Sequence, residues 1–311
     1  MNRYLLASTG AALLTWGPLA SAQVSPPIED AVIQGEILNR SVGQATDPFA
    51  PGSRPEDNEI DGEAGIYVLT VNEIFQISGG GGIGYTDNPT RTATDPGGAW
   101  YSDLGVGIGV ATRLGGTVDF GLSANIGARE FLDDDGPSSQ SVSTAMSVGA
   151  PIAGPVYANV IAFGGYSFED GFDDSTSFYG LSANVSAAFP LSQKFLVRPG
   201  IGVTQQWSEV SENDSFTATA SVDVVYVFSP AWFLSGRVSV SERRYDDFYE
   251  DVTFVEREDT VAGISASLVY RPSKTFTVAV GAAYEDQDSS FFLSEFDALD
   301  SGLTVSVRHT F

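Results

Sequence analysis

Apolar residues recur at every second position from residue 72 to the end of the chain. In the segment 117–131, for example, they alternate with glycine, serine, asparagine, aspartate or arginine. A period of two is typical of β-strands with one apolar face. About twelve such segments can be counted, at 72–86, 98–114, 117–131, 139–150, 156–168, 176–189, 194–207, 215–228, 231–245, 259–271, 275–285 and 301–311. An even number of strands returns both chain ends to one side, as bacterial outer-membrane barrels require.

A soluble β-sandwich also alternates, so the period alone leaves two fold classes open. The polar face distinguishes them, because charged residues lie in the middle of several segments, among them Arg113, Arg129 and Asp223. A dry sandwich core would exclude such charges, whereas a membrane barrel has lipid outside and water inside. We therefore predict an all-β fold, a twelve-stranded antiparallel up-and-down transmembrane β-barrel.

Aromatic residues lie at both ends of the apolar faces. One set comprises Phe189, Phe195, Phe228, Trp232, Tyr270, Phe276 and Phe311, and the other comprises Tyr85, Trp100, Tyr166, Phe168, Trp207, Phe216 and Tyr284. Amphipathic rings prefer the headgroup regions of a bilayer, so the two sets are predicted to form two membrane girdles. About ten residues separate the sets along a strand, which matches a tilted strand that crosses the hydrocarbon.

The connections between the segments alternate in length. Short ones occur at 114–116, 190–193, 229–231 and 271–274, and longer acidic ones at 87–97, 131–138, 169–175, 208–214, 246–258 and 286–300. In bacterial barrels the short turns face the periplasm and the longer loops face outside. Both termini are then periplasmic, and Phe311 is predicted to end the signal that the barrel-assembly machinery reads. The acidic loops are expected to be solvated, or to bridge to lipopolysaccharide through divalent ions.

Pro199 departs from the pattern, because it lies inside the segment 194–207 with lipid-facing parity. Proline has no N–H group to donate to the hydrogen-bond ladder. We expect a β-bulge at this position, or a register shift that would alter the assignment of inward and outward residues near Arg198.

The first 71 residues lack the period of two. Residues 1–22 combine Arg3, an apolar stretch and small residues at 20–22, which is typical of a secretory signal peptide. Residues 23–71 are rich in proline and mixed charges, and they are predicted to form a flexible periplasmic extension. Docking to a partner and insertion into the barrel are two alternatives for this extension. The sequence thus predicts an exported outer-membrane protein whose barrel occupies residues 72–311.

Composition excludes several classes of function. The chain has 311 residues, of which 40 are acidic and 15 are lysine or arginine, and its formal net charge is −25. Nucleic-acid binding rests on basic residues that neutralise phosphates, so no nucleic-acid partner is expected. The chain contains no cysteine, which removes disulfide frameworks and thiolate metal sites. No cofactor and no metal site are expected.

Residues 75–91 begin as a glycine-rich strand and contain the motif Gly-Tyr-Thr-Asp-Asn-Pro at 84–89. With the turn Tyr-Arg-Pro-Ser at 270–273, this motif resembles the outer-membrane proteins of the β-barrel porin type 2 family. Beyond these motifs, the general pattern of residues 72–311 is similar to that family. The resemblance implies a barrel in the outer membrane. Some members are associated with exopolysaccharide export, which implies an export or other periplasmic partner for residues 23–71.

The predicted inner face carries more arginine than acid. Its arginines are Arg113, Arg129, Arg198, Arg237, Arg243, Arg271 and Arg308. Its acids are Asp119 and Asp223, with Glu169 and Glu285 as further candidates. One interpretation is a positive lumen that selects anionic solutes through rings of charge. The other is a set of arginine–acid pairs that stabilises a narrow barrel, and the sequence favours neither.

The glycines at 79–82 do not form a phosphate-binding loop, because no Lys-Ser or Lys-Thr and no helix start follow them. They instead belong to a lumen wall with few side chains, formed by Gly80, Gly82, Gly84, Gly105, Gly107 and Gly109. The space over this wall is expected to receive Tyr157, Ile161 and Phe163 from the fifth segment, or residues 23–71.

The single histidine, His309, has outward parity two residues from the end of the sequence. A hydrolase that acts on surface lipids would need a serine and a histidine together in the outer leaflet. His309 lies instead at the predicted periplasmic rim, so we expect no enzymatic activity.

Two functions remain after these exclusions. The first is a porin-like channel through which small hydrophilic solutes, anionic ones among them, diffuse passively. The alternative is a non-conducting barrel that anchors a surface-polysaccharide or envelope complex through residues 23–71 and the acidic loops. Both functions place the chain in contact with outer-membrane lipid and lipopolysaccharide.

Overall fold

The computed structural model describes residues 75–89, 97–114, 118–132, 138–169, 174–192, 194–209, 214–245, 257–273, 275–290 and 295–310. These residues form thirteen strands: β1 (Phe75–Thr86), β2 (Ala99–Leu114), β3 (Val118–Phe131), β4 (Ser139–Ala153), β5 (Val156–Glu169), β6 (Asp174–Ala187), β7 (Phe189–Ser192), β8 (Phe195–Ser208), β9 (Ser215–Ser229), β10 (Trp232–Tyr245), β11 (Glu258–Tyr270), β12 (Phe276–Ser289) and β13 (Phe296–Thr310). No helix among them is long and apolar enough to cross a membrane. The predicted signal peptide, the extension 23–71 and Phe311 lie outside the described residues.

The strands close into a barrel. Each strand pairs antiparallel with its neighbour along the chain, except that β6 and β7 do not pair with each other and both pair with β8. The first and last strands also pair, from Gln76 opposite Thr310 to Thr86 opposite Asp300. Twelve strands therefore form a closed ring, and β7 is an additional short strand. The predicted fold class is confirmed.

Strand β7 continues β6 along the same edge of β8. Ser186 pairs with Gly200 before the interruption, and Phe189 pairs with Val197 after it. Both pairs keep the same register, so no residue is inserted or lost between them. The hydrogen-bond ladder of the barrel wall therefore has a short gap, and the strand pairing on its two sides is in the same register.

Pro199 lies opposite this gap. On its other side it pairs with Val222 within an unbroken β8–β9 register. The predicted bulge or register shift at this position is therefore wrong, because a missing N–H group removes hydrogen bonds from a ladder without requiring an extra residue. On the opposite edge of the chain, towards β5, the N–H of Ala188 donates to the carbonyl oxygen of Pro155 at 3.1 Å. The inward assignment of Arg198 is unaffected.

The last two strands are longer than the sequence pattern indicates. The segment 286–300 was predicted as a loop, yet β12 extends to Ser289 and β13 begins at Phe296, with Gln287 opposite Phe296. Apolar residues no longer alternate there, because several outward positions are aspartate. The ladder continues beyond the apolar band, and this extension leaves no hydrophobic signal in the sequence.

The outer face of the barrel is apolar and exposed. In β2, the side chains of Leu104, Val106 and Ile108 are 65%, 59% and 49% exposed, whereas their neighbour Asp103 is 1% exposed. The same alternation of exposed apolar and less exposed polar residues recurs in the other barrel strands. Soluble monomers rarely expose apolar patches of more than a few hundred Å². This surface therefore suits a lipid environment.

The predicted girdle residues lie at the strand ends on this outer face. Tyr85 contacts Trp100 edge to face at 5.4 Å between ring centroids, and Trp232 contacts Tyr270 at 4.5 Å. Other predicted members that lie outward are Phe195, Trp207, Tyr166, Phe168, Phe216, Tyr284, Phe189, Phe228 and Phe276. Tyr179 and Tyr226 extend the two sets by stacking on Trp207 and packing against Phe195. Their position at the headgroups stays a prediction.

Candidate functional site: the charged lumen

Most inward side chains in the middle of the barrel are small and polar. Ser239 in β10, for example, has Ser221 and Gly263 as its register partners. We name the end at which β1 begins and β13 ends the turn end, and the opposite end the loop end. Charged inward residues lie towards these two ends, whereas β5 carries the large inward residues Ile161 and Phe163 near its middle, where the Phe163 ring lies over Gly180.

The glycine wall of β1 and β2 is covered by its immediate neighbours. A Cβ atom at Gly84 would overlap the ring of Tyr101, and one at Gly107 would overlap the amide of Asn125. The expectation that β5 fills this space is wrong for Tyr157, whose hydroxyl donates instead to Asp119 at 3.0 Å. Adjacent strands supply the covering side chains because they lie closest to the missing Cβ atoms.

The first charged group at the loop end joins β2 and β3. The Arg129 guanidinium donates to both carboxylate oxygens of Asp103, at 2.8 and 3.1 Å. Its carbon Cζ lies 4.2 Å from the centroid of the Tyr101 ring. Both charged side chains are buried. A bidentate pair of this kind fixes the arginine in place, and the ring covers its face.

A second group of the same design joins the other side of the loop end. Arg257 donates to both oxygens of Asp259 at 2.9 and 2.6 Å, and it lies 4.4 Å from the ring centroid of Tyr245. The Ser289 hydroxyl donates to the same carboxylate at 2.6 Å. Arg243, the register partner of Asp259, donates to the Tyr245 hydroxyl at 3.4 Å. The chain therefore builds the combination of tyrosine, arginine and aspartate twice.

The third group lies nearer the turn end and spans β8, β9 and β10. Arg198 donates to Asp223 Oδ2 through Nε at 3.0 Å and through Nη2 at 2.8 Å. The Nε of Arg237 lies 3.8 Å from Asp223 Oδ1 on the other side. The Arg198 side chain is 9% exposed and that of Arg237 is 30% exposed. One carboxylate thus lies between two guanidinium groups, of which Arg237 is the more exposed.

Two further arginines lie at the turn end. Arg271 follows β11 directly, and Arg308 lies in β13 opposite Ser78. Burial lowers the pKa of the Arg271 guanidinium from its ordinary value, although arginine stays charged at neutral pH. Within the described part of the chain, Arg271 forms no ion pair with a carboxylate. The side chains of Arg113 and Glu169 lie outside the described residues.

Several inward residues escaped the sequence analysis. Asp103, Asp259, Asp300 and Tyr101 are nearly fully buried on the inner face, and so is Arg257. Asp103 and Tyr101 share the parity of the glycine run in β2, which was a usable signal. The others lie beyond the apolar alternation of their strands, where the period of two gives no guidance. The inner face is therefore less basic than the sequence pattern predicts.

Apolar residues also lie inside the barrel at the turn end. Leu196 and Val225 pack with Ala188, and Val269 packs with Ala279, while Phe233 contacts both groups. They occupy the inward positions next to Arg198 and Asp223. This cluster narrows one side of the lumen and holds the charged group in place.

The histidine has no role in these groups. His309 pairs with Ile77 in the β1–β13 ladder and its side chain is exposed on the outer face. Among the described residues, no group of three or more histidine, cysteine or acidic side chains could hold a metal ion. The lumen chemistry therefore rests on the guanidinium, carboxylate and hydroxyl groups described above.

No protein-family model and no curated protein matches this chain. Solved structures do resemble it. An outer membrane channel from Pseudomonas putida F1 has a TM-score of 0.53 at 8% identity, and the match covers 84% of this chain and 100% of that one. The KdgM porin in complex with disordered oligogalacturonate has a TM-score of 0.42 at 11% identity, over 74% and 98% of the two chains.

LpxR from Salmonella typhimurium has a TM-score of 0.45 at 10% identity, over 73% of this chain and 99% of that one. At such low identity a likeness shows the fold alone. The outer membrane channel from Pseudomonas putida F1 therefore supports the β-barrel fold of this chain.

Proposed function

We propose that this chain is a narrow outer-membrane channel through which small hydrophilic solutes diffuse passively, with a preference for anions. The observation that carries the proposal is the contrast between the two faces of the same strands. Exposed leucine, valine and isoleucine cover the outside, while serine, threonine and glycine form most of the middle of the inside, with Ile161 and Phe163 of β5 as large exceptions. An apolar exterior suits a bilayer, and a small polar interior suits water.

The barrel size is compatible with this function. Eight strands enclose an interior that side chains fill, whereas sixteen or more leave a wide aqueous channel. Twelve strands lie between these limits. The charged groups at the two ends narrow the lumen further, so we expect passage of small solutes only.

The anion preference rests on Arg271, which forms no ion pair with a carboxylate among the described residues. Arg129, Arg198 and Arg257 are each fixed by a bidentate or doubly hydrogen-bonded aspartate, and we assign them to barrel stability. Arg237 lies 3.8 Å from Asp223, which is already hydrogen-bonded to Arg198. We therefore take Arg271 as the candidate for selectivity.

Planar-bilayer recording of the purified protein tests the channel. We expect discrete conductance steps, and a reversal potential in a salt gradient that shows anions to be the more permeant ions. An absence of conductance steps would contradict the proposal. The protein should also require the barrel-assembly machinery for insertion beside lipopolysaccharide, with both chain ends in the periplasm.

A second function is favoured by the burial of the ionic groups at the loop end. Asp103, Asp259 and Arg257 are at most 4% exposed, which is compatible with a barrel closed at that end. Such a barrel would anchor an envelope or exopolysaccharide-export complex through residues 23–71. Deletion of residues 23–71 should then abolish recovery of periplasmic partners while the barrel still assembles, and unchanged recovery would exclude this function.

A further inference from the structure

We propose that the seam between β8 and the edge formed by β6 and β7 is a lateral opening, through which small uncharged apolar molecules pass between the lumen and the bilayer. This function goes beyond the proposed channel, because it gives the barrel a second route that leads sideways through its wall. Three features of the seam support it: an interrupted hydrogen-bond ladder, small side chains at the interruption, and an apolar cluster directly behind it.

The ladder of this seam is interrupted opposite Pro199. Ser186 pairs with Gly200 on one side of the interruption, and Phe189 pairs with Val197 on the other. Proline has no N–H group, so Pro199 donates no hydrogen bond to the neighbouring strand. Fewer hydrogen bonds therefore hold the two edges together here than along the rest of the seam.

The position of Pro199 makes this interruption costly. It lies between the girdle residues Phe195 and Trp207 of β8, hence within the predicted hydrocarbon band. Backbone groups in that band have no water as an alternative partner, so a missing donor in a lipid-facing wall is unfavourable. Such unfavourable features are concentrated at functional sites. The other edge of β8 keeps an unbroken register with β9, so the feature belongs to one seam.

The pairing irregularities elsewhere in the described strands lie at strand ends. One occurs between Pro151 and Ala153, where β4 ends, and another between Trp232 and Phe233, where β10 begins. The short strand β7 has a further one at its own end. Within the described part of the wall, the interruption opposite Pro199 is therefore the one that lies between two paired stretches of the same seam.

The side chains at the interruption are small. The register places Ala187 opposite Pro199 and Ala188 opposite Arg198. Arg198 is the one long side chain of the four, and it donates to Asp223 of β9 at 3.0 and 2.8 Å. These hydrogen bonds hold its guanidinium on the side of β8 away from the seam. Two alanines and a proline therefore separate the lumen from the lipid at this point.

An apolar cluster lies on the lumen side of the seam. Ala188 packs with Leu196 and Val225, and the partly buried Val227 and Phe233 pack against this group. Val227 and Phe233 have inward parity, so their exposed parts face the lumen. Inward positions of a water-filled barrel are usually polar. This cluster is therefore suited to an uncharged apolar molecule that leaves the water of the lumen.

The lipid side of the same seam is also apolar. Val185 and Ile201 are register partners next to the interruption, and both are exposed on the outer face. Phe189, on the other side of the interruption, is exposed as well. Apolar surface therefore lies on both sides of the wall where the ladder is weakest. A compact aromatic or aliphatic molecule would cross there without leaving an apolar environment.

A disulfide across the seam tests the lateral opening, since the chain contains no cysteine. A Cβ atom at Gly200 would lie 3.4 Å from the Cβ of Ser186, close to the separation of about 3.8 Å in a disulfide. Ser186→Cys with Gly200→Cys therefore locks the seam beside the interruption. The matched control is Gly80→Cys with Ser306→Cys, where the corresponding distance is 3.2 Å, because it locks the uninterrupted seam between β1 and β13.

Uptake of N-phenyl-1-naphthylamine is measured in Gram-negative cells that carry each variant in the outer membrane. This small uncharged aromatic probe fluoresces when it reaches lipid. We expect the native chain to accelerate its uptake, and the oxidised Ser186→Cys, Gly200→Cys variant to return the rate to that of cells without the protein. Reduction should restore the fast rate, which also shows that the variant is folded. The control disulfide should leave the rate unchanged, and thiol titration verifies that each disulfide has closed.

Equal uptake by the oxidised and reduced forms of Ser186→Cys, Gly200→Cys would overturn the lateral opening. So would a native rate no faster than that of cells without the protein. Pro199→Ala supplies the missing N–H group and should slow the uptake, whereas Pro151→Ala, at the end of β4, should not. An unchanged rate in Pro199→Ala would likewise contradict the role of the interrupted ladder.

Planar-bilayer recordings of the same variants separate the lateral opening from the channel. Ionic current runs along the barrel axis, so the seam disulfide should leave the conductance steps unchanged. Conductance steps with an uptake that does not respond to the disulfide would keep the channel and refute the lateral opening. Disulfide-sensitive uptake without conductance steps would refute the channel and keep the lateral opening.

Discussion

Arg129 at the loop end and Arg271 at the turn end are both inward arginines of one barrel, yet their surroundings differ. Arg129 is buried, forms a bidentate pair with Asp103 and is covered by the Tyr101 ring. Arg271 forms no ion pair with a described carboxylate. Inward parity therefore does not define the role of an arginine. We assign the locally neutralised guanidinium of Arg129 to the stability of the wall, and we propose that Arg271 acts on solutes.

The largest expected loss of stability comes from removing the partner of a buried charge. Arg129→Met should destabilise the barrel by about 3–5 kcal/mol, because Asp103 then stays buried without its partner. The double variant Arg129→Met with Asp103→Leu should recover most of this loss. Urea unfolding of the protein in lipid vesicles measures both values, and a single variant as stable as the native chain would refute the stabilising role.

The second prediction compares the stability cost of an arginine on the lipid-facing side of a strand with that of an arginine on the lumen side. Ile126 lies outward and is 57% exposed, and the adjacent Asn125 lies inward beside Gly107. Ile126→Arg should cost about 2–4 kcal/mol near the middle of the bilayer, whereas Asn125→Arg should cost clearly less because the lumen is wet. The same unfolding measurement compares them, and equal costs would contradict the inward and outward assignment.

Arg198 and Arg237 provide a comparison around a single acid. Arg198→Gln should cost about 1.5–3 kcal/mol, since it removes two charge-assisted hydrogen bonds from Asp223. Arg237→Gln should cost about 0–1 kcal/mol, because its side chain is more exposed and 3.8 Å away. A larger cost for Arg237→Gln in urea unfolding would reverse the assignment of these two residues.

The smallest effect on stability is expected at the turn end. Arg271→Gln should change the free energy of unfolding by no more than about 0.5 kcal/mol, because no ion pair is lost. It should nevertheless lower the anion-to-cation permeability ratio obtained from reversal potentials. Arg244→Gln, on the outer face at the loop end, is the control. An unchanged ratio in Arg271→Gln would remove this residue from the selectivity proposal.

The fold could be predicted from the sequence because lipid imposes a period of two on the strands. Residues such as Leu104, Val106 and Ile108 must be apolar if they meet hydrocarbon, and their neighbours need not be. Pro199 was misjudged because a missing donor was expected to displace the chain. The structure shows that the ladder tolerates a gap without a change of register.

The charged groups could be predicted only in part. Parity places Arg129 and Asp103 inside, but their pairing depends on the β2–β3 register, which backbone hydrogen bonds and turn geometry determine. Arg257 lies beyond the apolar alternation of its strand, so no hydrophobic signal marks it. The sequence predicts Arg198, Asp223 and Arg237 as separate inward residues. Their contact follows only from the register of β8, β9 and β10.

Cysteine scanning along β3 in lipid vesicles tests the central claim most directly. Single cysteines at residues 122–126 are exposed in turn to a charged, water-soluble thiol reagent. We predict modification at the inward Ser123 and Asn125 and protection at the outward Leu122, Ala124 and Ile126. Protection at all five positions would show a dry interior, modification at all five would show that no face meets lipid, and either result would contradict the account.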